Sequence, residues 1–186
     1  AKQTFTPMYD ISFNHFFLKK TFSKSELFTL WNNELKSFRL GKRPNFGQER
    51  TWRTWLYEKG LHIDHLPTYI YLPIRSQYKM NVPLWIWQSR VLLDFLPRVS
   101  QHKIFHLNEV ERFLQRFIKK KVDEQLIRAS HNPIEEYLNV LCEFSLLKQL
   151  DDVTFVQQQS LTFYKQIEEA LDGDTELLFR FMYNEG

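Results

Sequence analysis

Cysteine and glycine are scarce in this sequence, and each scarcity closes off a class of protein. Cys142 is the single cysteine among 186 residues, which excludes an intramolecular disulfide and a zinc finger built on cysteine ligands, and fits a reducing compartment. Glycine occurs only 5 times, with no pair spaced to form a phosphate-cradling loop, which weighs against the common nucleotide-binding enzymes. Long apolar runs are missing as well. The first twenty residues mix Phe5, Phe13, Phe16 and Phe17 with polar side chains, and the apolar cluster Leu84 to Leu96 is interrupted by Gln88, Arg90 and Asp94. Neither a signal peptide nor a membrane span is expected. That places the chain inside the cell, in the cytoplasm or in a eukaryotic nucleus.

Aromatic residues are plentiful: 17 Phe, 8 Tyr and 5 Trp, within a composition 43% hydrophobic and 25% charged. This is enough large apolar surface for a packed core in one domain or two small ones. Charge is unevenly spread. Residues 1 to 130 hold 22 Lys and Arg against 11 Asp and Glu, whereas residues 131 to 186 hold 3 against 11. A basic portion suits a polyanion, and an acidic one suits a basic partner or repels nucleic acid.

Read for elements, the chain begins with a segment of unassigned structure, 1–22. Ser23 with Glu26 three residues on makes a capping box, and Leu27, Leu30, Trp31, Leu35 and Phe38 recur at helical spacing, predicting a helix over 24–38. A basic loop follows at 39–47, then a helix over 48–59 closed by Gly60. The pattern Leu61-His62-Ile63, a turn at 64–67, and Tyr69-Ile70-Tyr71-Leu72 predicts a β-hairpin. Pro83 opens and Pro97 stops an apolar helix, 83–96, which is expected to be buried on all sides of the monomer. Asn108 and Glu111 cap a helix through about Arg128. Asn132, Pro133 and Glu135 start another, running to Phe144. A second hairpin is expected from Leu146–Leu150 and Val153–Val156 around Asp151 and Asp152, then a helix at 161–171 and a short one, capped by Asp174, at 175–183.

The two portions align by eye. Trp55 to Leu61 matches Val140 to Leu146 at an offset of 85, and each match precedes a hairpin signal. A helix passing through a small residue and Leu into a hairpin resembles the recognition helix and wing of winged-helix domains. The resemblance implies a mainly α fold with short β-hairpins: two winged-helix-like halves, 23–74 and 107–158, packed around the central apolar helix of a connector at 75–106, with acidic C-terminal helices at 159–186.

Within this frame the helix over 48–59 is the candidate reading element. At 100° per residue Trp52, Trp55 and Leu56 form one stripe, expected in the core, while Arg50, Arg53, Thr54 and Tyr57 face the other way. Two guanidinium forks, a hydroxyl and a phenol suit phosphates and guanine edges. Lys42, Arg43, Lys36 and Arg39 would add phosphate contacts. The competing reading is a solvated helix whose arginines pair with Glu49 or Glu58. A second basic patch, Arg112, Arg116, Lys119 and Lys120, lies opposite the Phe113 and Phe117 stripe; it would extend the phosphate track or, with Glu109, Asp123 and Glu124 interspersed, form the solvated back of the helix, the reading the acidic residues favour. The helix before the second hairpin carries Glu135, Glu136 and Glu143 and no basic residue, which suits a protein partner or self-association rather than phosphate.

Chemistry of other kinds has little support. His62 and His65, and His102 and His106, are spaced as metal ligands sometimes are, with Glu109 or Glu111 near the second pair as a third ligand, but they fall on a hairpin and a connector, and no HExxH motif or cysteine ligand accompanies them. No catalytic residue, metal or other cofactor is expected. The leading expectation is a nucleic-acid-binding protein, DNA before RNA, of a transcriptional or replication type, and the alternative is a protein-interaction adaptor.

Overall fold

A computed structural model describes residues 24–41, 46–72, 74–99, 102–120 and 132–183. The N-terminal segment, Ser23 and the loop residues Lys42 and Arg43 lie outside that set. Helices dominate. α1 (Lys24–Leu40) and α2 (Gly47–Glu58) stand where their apolar spacing predicts. Among the described residues no helix is long and apolar enough to cross a membrane.

The first expected hairpin does not form. Residues 61–72 fold instead as two 3-10 turns, Ile63–His65 and Thr68–Tyr71. Their backbone groups are met locally and by a buried amide: His65 and Leu66 N–H bond back to His62 and Ile63, and Gln88 accepts the Leu72 N–H at 2.9 Å and donates to the Leu72 carbonyl at 2.6 Å. Ile70, Tyr71 and Leu72 are consequently packed in the core rather than displayed on a pleat.

A third 3-10 turn, Arg75–Lys79, leads to the central helix. This comprises α3 (Leu84–Arg90), one wide π turn (Val91–Phe95) and α4 (Leu96–Val99). It runs past Pro97, which was expected to stop it. The Leu96 N–H reaches back to the Val91 carbonyl, and a turn widened just ahead of Pro97 makes room for a ring that would otherwise strike the preceding turn. As its composition predicts, the helix is buried around most of its circumference. The indoles that meet there find partners: Trp52 donates to Ser89 Oγ at 2.8 Å, Trp85 to Glu49 Oε2 at 2.9 Å and Trp87 to Gln77 Oε1 at 2.9 Å. Each removes the penalty of a buried, unsatisfied N–H.

The remaining chain holds the sheet. β1 (Ile104–His106) leads directly into α5 (Leu107–Leu114), α6 (Pro133–Glu143) precedes the hairpin β2 (Leu147–Asp151) and β3 (Thr154–Gln157), and the antiparallel strand order is β1-β3-β2. Phe105 faces Phe155 across the β1–β3 ladder with the rings stacked at 5.9 Å. Asn132 caps α6 through its side chain, accepting the Ile134 N–H at 3.0 Å, and Asp151 takes the Val153 N–H at 3.0 Å in the hairpin turn.

Two predicted helices are revised. α5 gives way to a 3-10 turn at Gln115–Phe117 instead of running to Arg128, because Ile118 leaves to pair with Met80 in an isolated β-bridge. The two expected C-terminal helices are one, α7 (Ile167–Tyr183), with Asp174 in its interior rather than at a cap. α7 lies along α1, where Phe28 meets Phe179 edge-on at 6.3 Å and Thr175 Oγ1 donates to Asn32 Oδ1 at 3.1 Å.

Candidate nucleic-acid interface

On α2 the amphipathic reading holds on its polar side. Arg50, Arg53, Thr54 and Tyr57 are all exposed and line one shallow hollow with Leu61, His62 and Ile63 from the following turn. Tyr57 is 84% exposed, so its ring is presented to whatever binds there. The ion pairs with neighbouring glutamates that the competing reading called for do not occupy the arginines. Glu49 is turned inward to accept the Trp85 indole N–H, and among the described residues neither Arg50 nor Arg53 is in an ion pair.

The apolar side departs from expectation at one residue. Trp52 is buried, but Trp55 is only half-buried, with its ring under the Arg90 guanidinium at 3.5 Å and Lys59 Nζ at 5.4 Å. Trp55 thereby belongs to a second hollow, lined by Arg90, Asp94 and Arg98 of the central helix and by Arg112, Phe113, Gln115 and Arg116. Among the described residues Asp94 is the one carboxylate lining it, reaching Lys59 at 2.9 Å, Arg90 at 3.1 Å and Arg98 at 3.7 Å. Burial alone would raise the Asp94 carboxyl, but the hydrogen bonds and charges of Lys59 and Arg90 outweigh it and hold the group below its ordinary range. Arg90 is held below its ordinary value, by burial first, with Arg116 adding to the effect against the pull of Asp94.

Arg39, expected on the phosphate track, is instead 5% exposed. Its guanidinium grips both oxygens of Asp174, at 2.5 and 2.8 Å, donates to the Leu66 carbonyl at 3.0 Å and lies over the Tyr164 ring. It is a structural clamp and is withdrawn from the candidate interface. Lys36 is exposed on α1. Arg112 and Arg116 are brought to the second hollow, whereas Lys119 and Lys120 follow the bridge to Met80 and are exposed off the helix, not on a common stripe with them. Lys42 and Arg43 lie outside the described residues.

Lys59, Arg90, Asp94 and Arg98 are the residues that sequence reasoning missed. Arg90 and Asp94 stand four apart on the helix read as core, and Arg98 falls beyond the Pro97 at which that helix was expected to stop, so the i, i+4, i+8 spacing became visible only once the helix was seen to continue. The histidines are not gathered into a ligand set: His62 and His65 rings stand 6.0 Å apart, and among the described residues no group of three or more His, Cys, Asp or Glu is placed to hold a metal ion.

Fold and surface together define a mainly helical domain with a three-stranded antiparallel sheet and two arginine-bearing hollows flanking one helix. Its residues 29–171 match the family model of the competence protein CoiA, C-terminal domain, and the chain belongs to that family. No curated protein and no solved structure matches it.

Proposed function

We propose that the chain binds nucleic acid, DNA in the first instance, through the outer face of α2. The observation that carries this reading is the one-sided display of Arg50, Arg53, Thr54 and Tyr57 around a single hollow, with both guanidinium groups outside any ion pair among the described residues. Two outward-facing forks beside a hydroxyl and an exposed phenol are donors suited to phosphate oxygens and base edges. The family's description as a competence protein supports a nucleic-acid-related role.

We also read β1, α5, α6, β2 and β3 as a single winged-helix-like unit, on the strength of the β1-β3-β2 order and the hairpin that directly follows α6. The helix preceding a wing usually reads the groove. Here it is α6, which carries Glu135, Glu136 and Glu143 and no basic residue, so its surface suits a protein and the polyanion is left to α2.

Anisotropy titrations of a labelled duplex and a labelled single strand, over a range of salt, test the proposal. Replacing Arg50 and Arg53 with Ala should weaken binding and reduce the slope of log K against log salt by roughly two, about 0.9 for each phosphate that is no longer neutralised. A wild-type chain with no affinity for either probe at low ionic strength overturns the reading and favours a protein-docking adaptor.

A further inference from the structure

The second hollow lies on a different flank of α2. Relative to Arg50, Trp55 and Lys59 project about 140° and 180° around the helix at 100° per residue, and the two hollows share no lining residue. Its cations outnumber its acids: among the described residues Arg90, Arg98, Arg112 and Arg116 line it with Asp94, Lys59 pairs with Asp94 from its edge, and Glu58 adds a second negative charge near Arg90. Asp94 is engaged by Lys59, Arg90 and Arg98, and among the described residues neither Arg112 nor Arg116 is in an ion pair. Crowded like charges repel, and an anion relieves that repulsion.

Three of the guanidinium groups lie over aromatic rings. Arg90 lies on Trp55 at 3.5 Å, Arg116 on Phe117 at 4.6 Å and Arg98 on Phe113 at 5.5 Å. A guanidinium resting on a ring keeps in-plane N–H donors directed outward and has already given up much of the side-chain freedom that binding would otherwise remove. The basic surface is longer than a single phosphate. An adjoining hollow shares Arg98, Arg112 and Phe113 and continues to Lys103 and Glu109. The cations therefore run from the end of α2, across the central helix and α5, toward β1.

We propose that this groove is a second polyanion site that grips the phosphodiester backbone of the nucleic acid, with Arg98, Arg112 and Arg116 donating to phosphate oxygens and Asp94 fixing Lys59 and Arg90 beneath them. The inference rests on the nucleic-acid reading of α2 and adds to it a separate surface with its own residues. Because Arg98, Arg112 and Arg116 are exposed, changing them leaves the core intact.

The test compares the full chain, an Arg98→Ala/Arg112→Ala/Arg116→Ala variant, the Arg50→Ala/Arg53→Ala variant and a charge-preserving triple with Lys at 98, 112 and 116. Each is titrated with a fluorescein-labelled oligo-dT strand, with a labelled duplex and with inorganic pyrophosphate. The alanine triple should bind at least one nucleic acid roughly tenfold or more weakly at low salt, with a salt slope lower by about two to three. It should melt cooperatively and not substantially below wild type, and the lysine triple should recover part of the affinity. If the alanine triple binds like wild type while the Arg50/Arg53 variant is impaired, the groove is overturned and the α2 reading stands. If the wild type binds neither nucleic acid, both fall. Pyrophosphate binding as tight as that of the strand would make the groove a small-phosphate site and overturn the proposal as stated.

Discussion

Arg39 and Asp174, 135 positions apart, are joined by two hydrogen bonds between a guanidinium and a carboxylate that are both almost fully buried. Asp174 also accepts the Thr68 hydroxyl, and Arg39 caps the Leu66 carbonyl, so one ion pair links α1, the 3-10 segment and α7. Removing one partner strands a buried charge. Arg39→Met or Asp174→Leu is expected to cost roughly 3 to 5 kcal/mol. The double substitution should cost less than the sum of the singles, since no lone charge remains. Urea unfolding of the four proteins measures this, and strictly additive costs would contradict it.

Gly60 and Ser145 end their helices alike. Both adopt positive φ, 69° and 59°. The following residue closes the same six-to-one bond in each case, Leu61 N–H to Leu56 at 2.9 Å and Leu146 N–H to Leu141 at 3.0 Å. Ser145 carries the cost of a left-handed conformation that glycine avoids. Ser145→Gly should therefore stabilise the chain by up to about 1 kcal/mol, raising Tm by roughly 2 to 4 °C. Gly60→Ala should destabilise by about 1 to 2 kcal/mol, through conformation alone, because an added Cβ meets nothing within 4 Å. Calorimetric melting reads both signs.

Asp94 makes the central helix sensitive to acid. Its folded carboxyl value lies below the unfolded value, near 3.9. Its contribution is thus fully present above that unfolded value and is lost as pH falls through the lower, folded one. Asp94→Asn should melt below wild type at neutral pH, and the gap should close as pH drops well under about 4. A gap independent of pH would show that the charge of Asp94 is not what holds Lys59 and Arg90.

Cys142 should be a slow thiol. Half-buried on α6, it is pushed above its ordinary value by burial first and by Glu143, against a backbone hydrogen bond involving Gln149. The thiolate is the reactive form. Reaction with an aromatic disulfide reagent at neutral pH should be slower than for a small free thiol, and should accelerate when denaturant is added. Rapid stoichiometric labelling of the native chain would contradict this placement.

The match between Trp55–Leu61 and Val140–Leu146 shows how far local pattern reaches. It reports a shared helix-ending motif, in which a residue able to turn left-handed is followed by a leucine. That motif recurs faithfully at Gly60 and Ser145. What comes next is not local. Residues 147–157 find β1 to pair with, through Val156 and Phe155, and become a hairpin, while residues 61–72 find Gln88 and the central helix and become 3-10 turns. Strand pairing depends on the neighbour as much as on the strand.

Sequence alone determined the helices whose ends carry their own chemistry, such as Asn132 and Pro133 opening α6, the burial of the central helix, and the exposed basic face of α2. These follow from side-chain period and capping within a few residues. Tertiary structure decided which cations are surface and which are structure. Arg39 and Arg50 look equivalent along the chain, yet one is closed around Asp174 and the other faces outward. Only folding brings Lys59, Asp94 and Arg116 to one groove, because charges distant in sequence interact according to their separation in space.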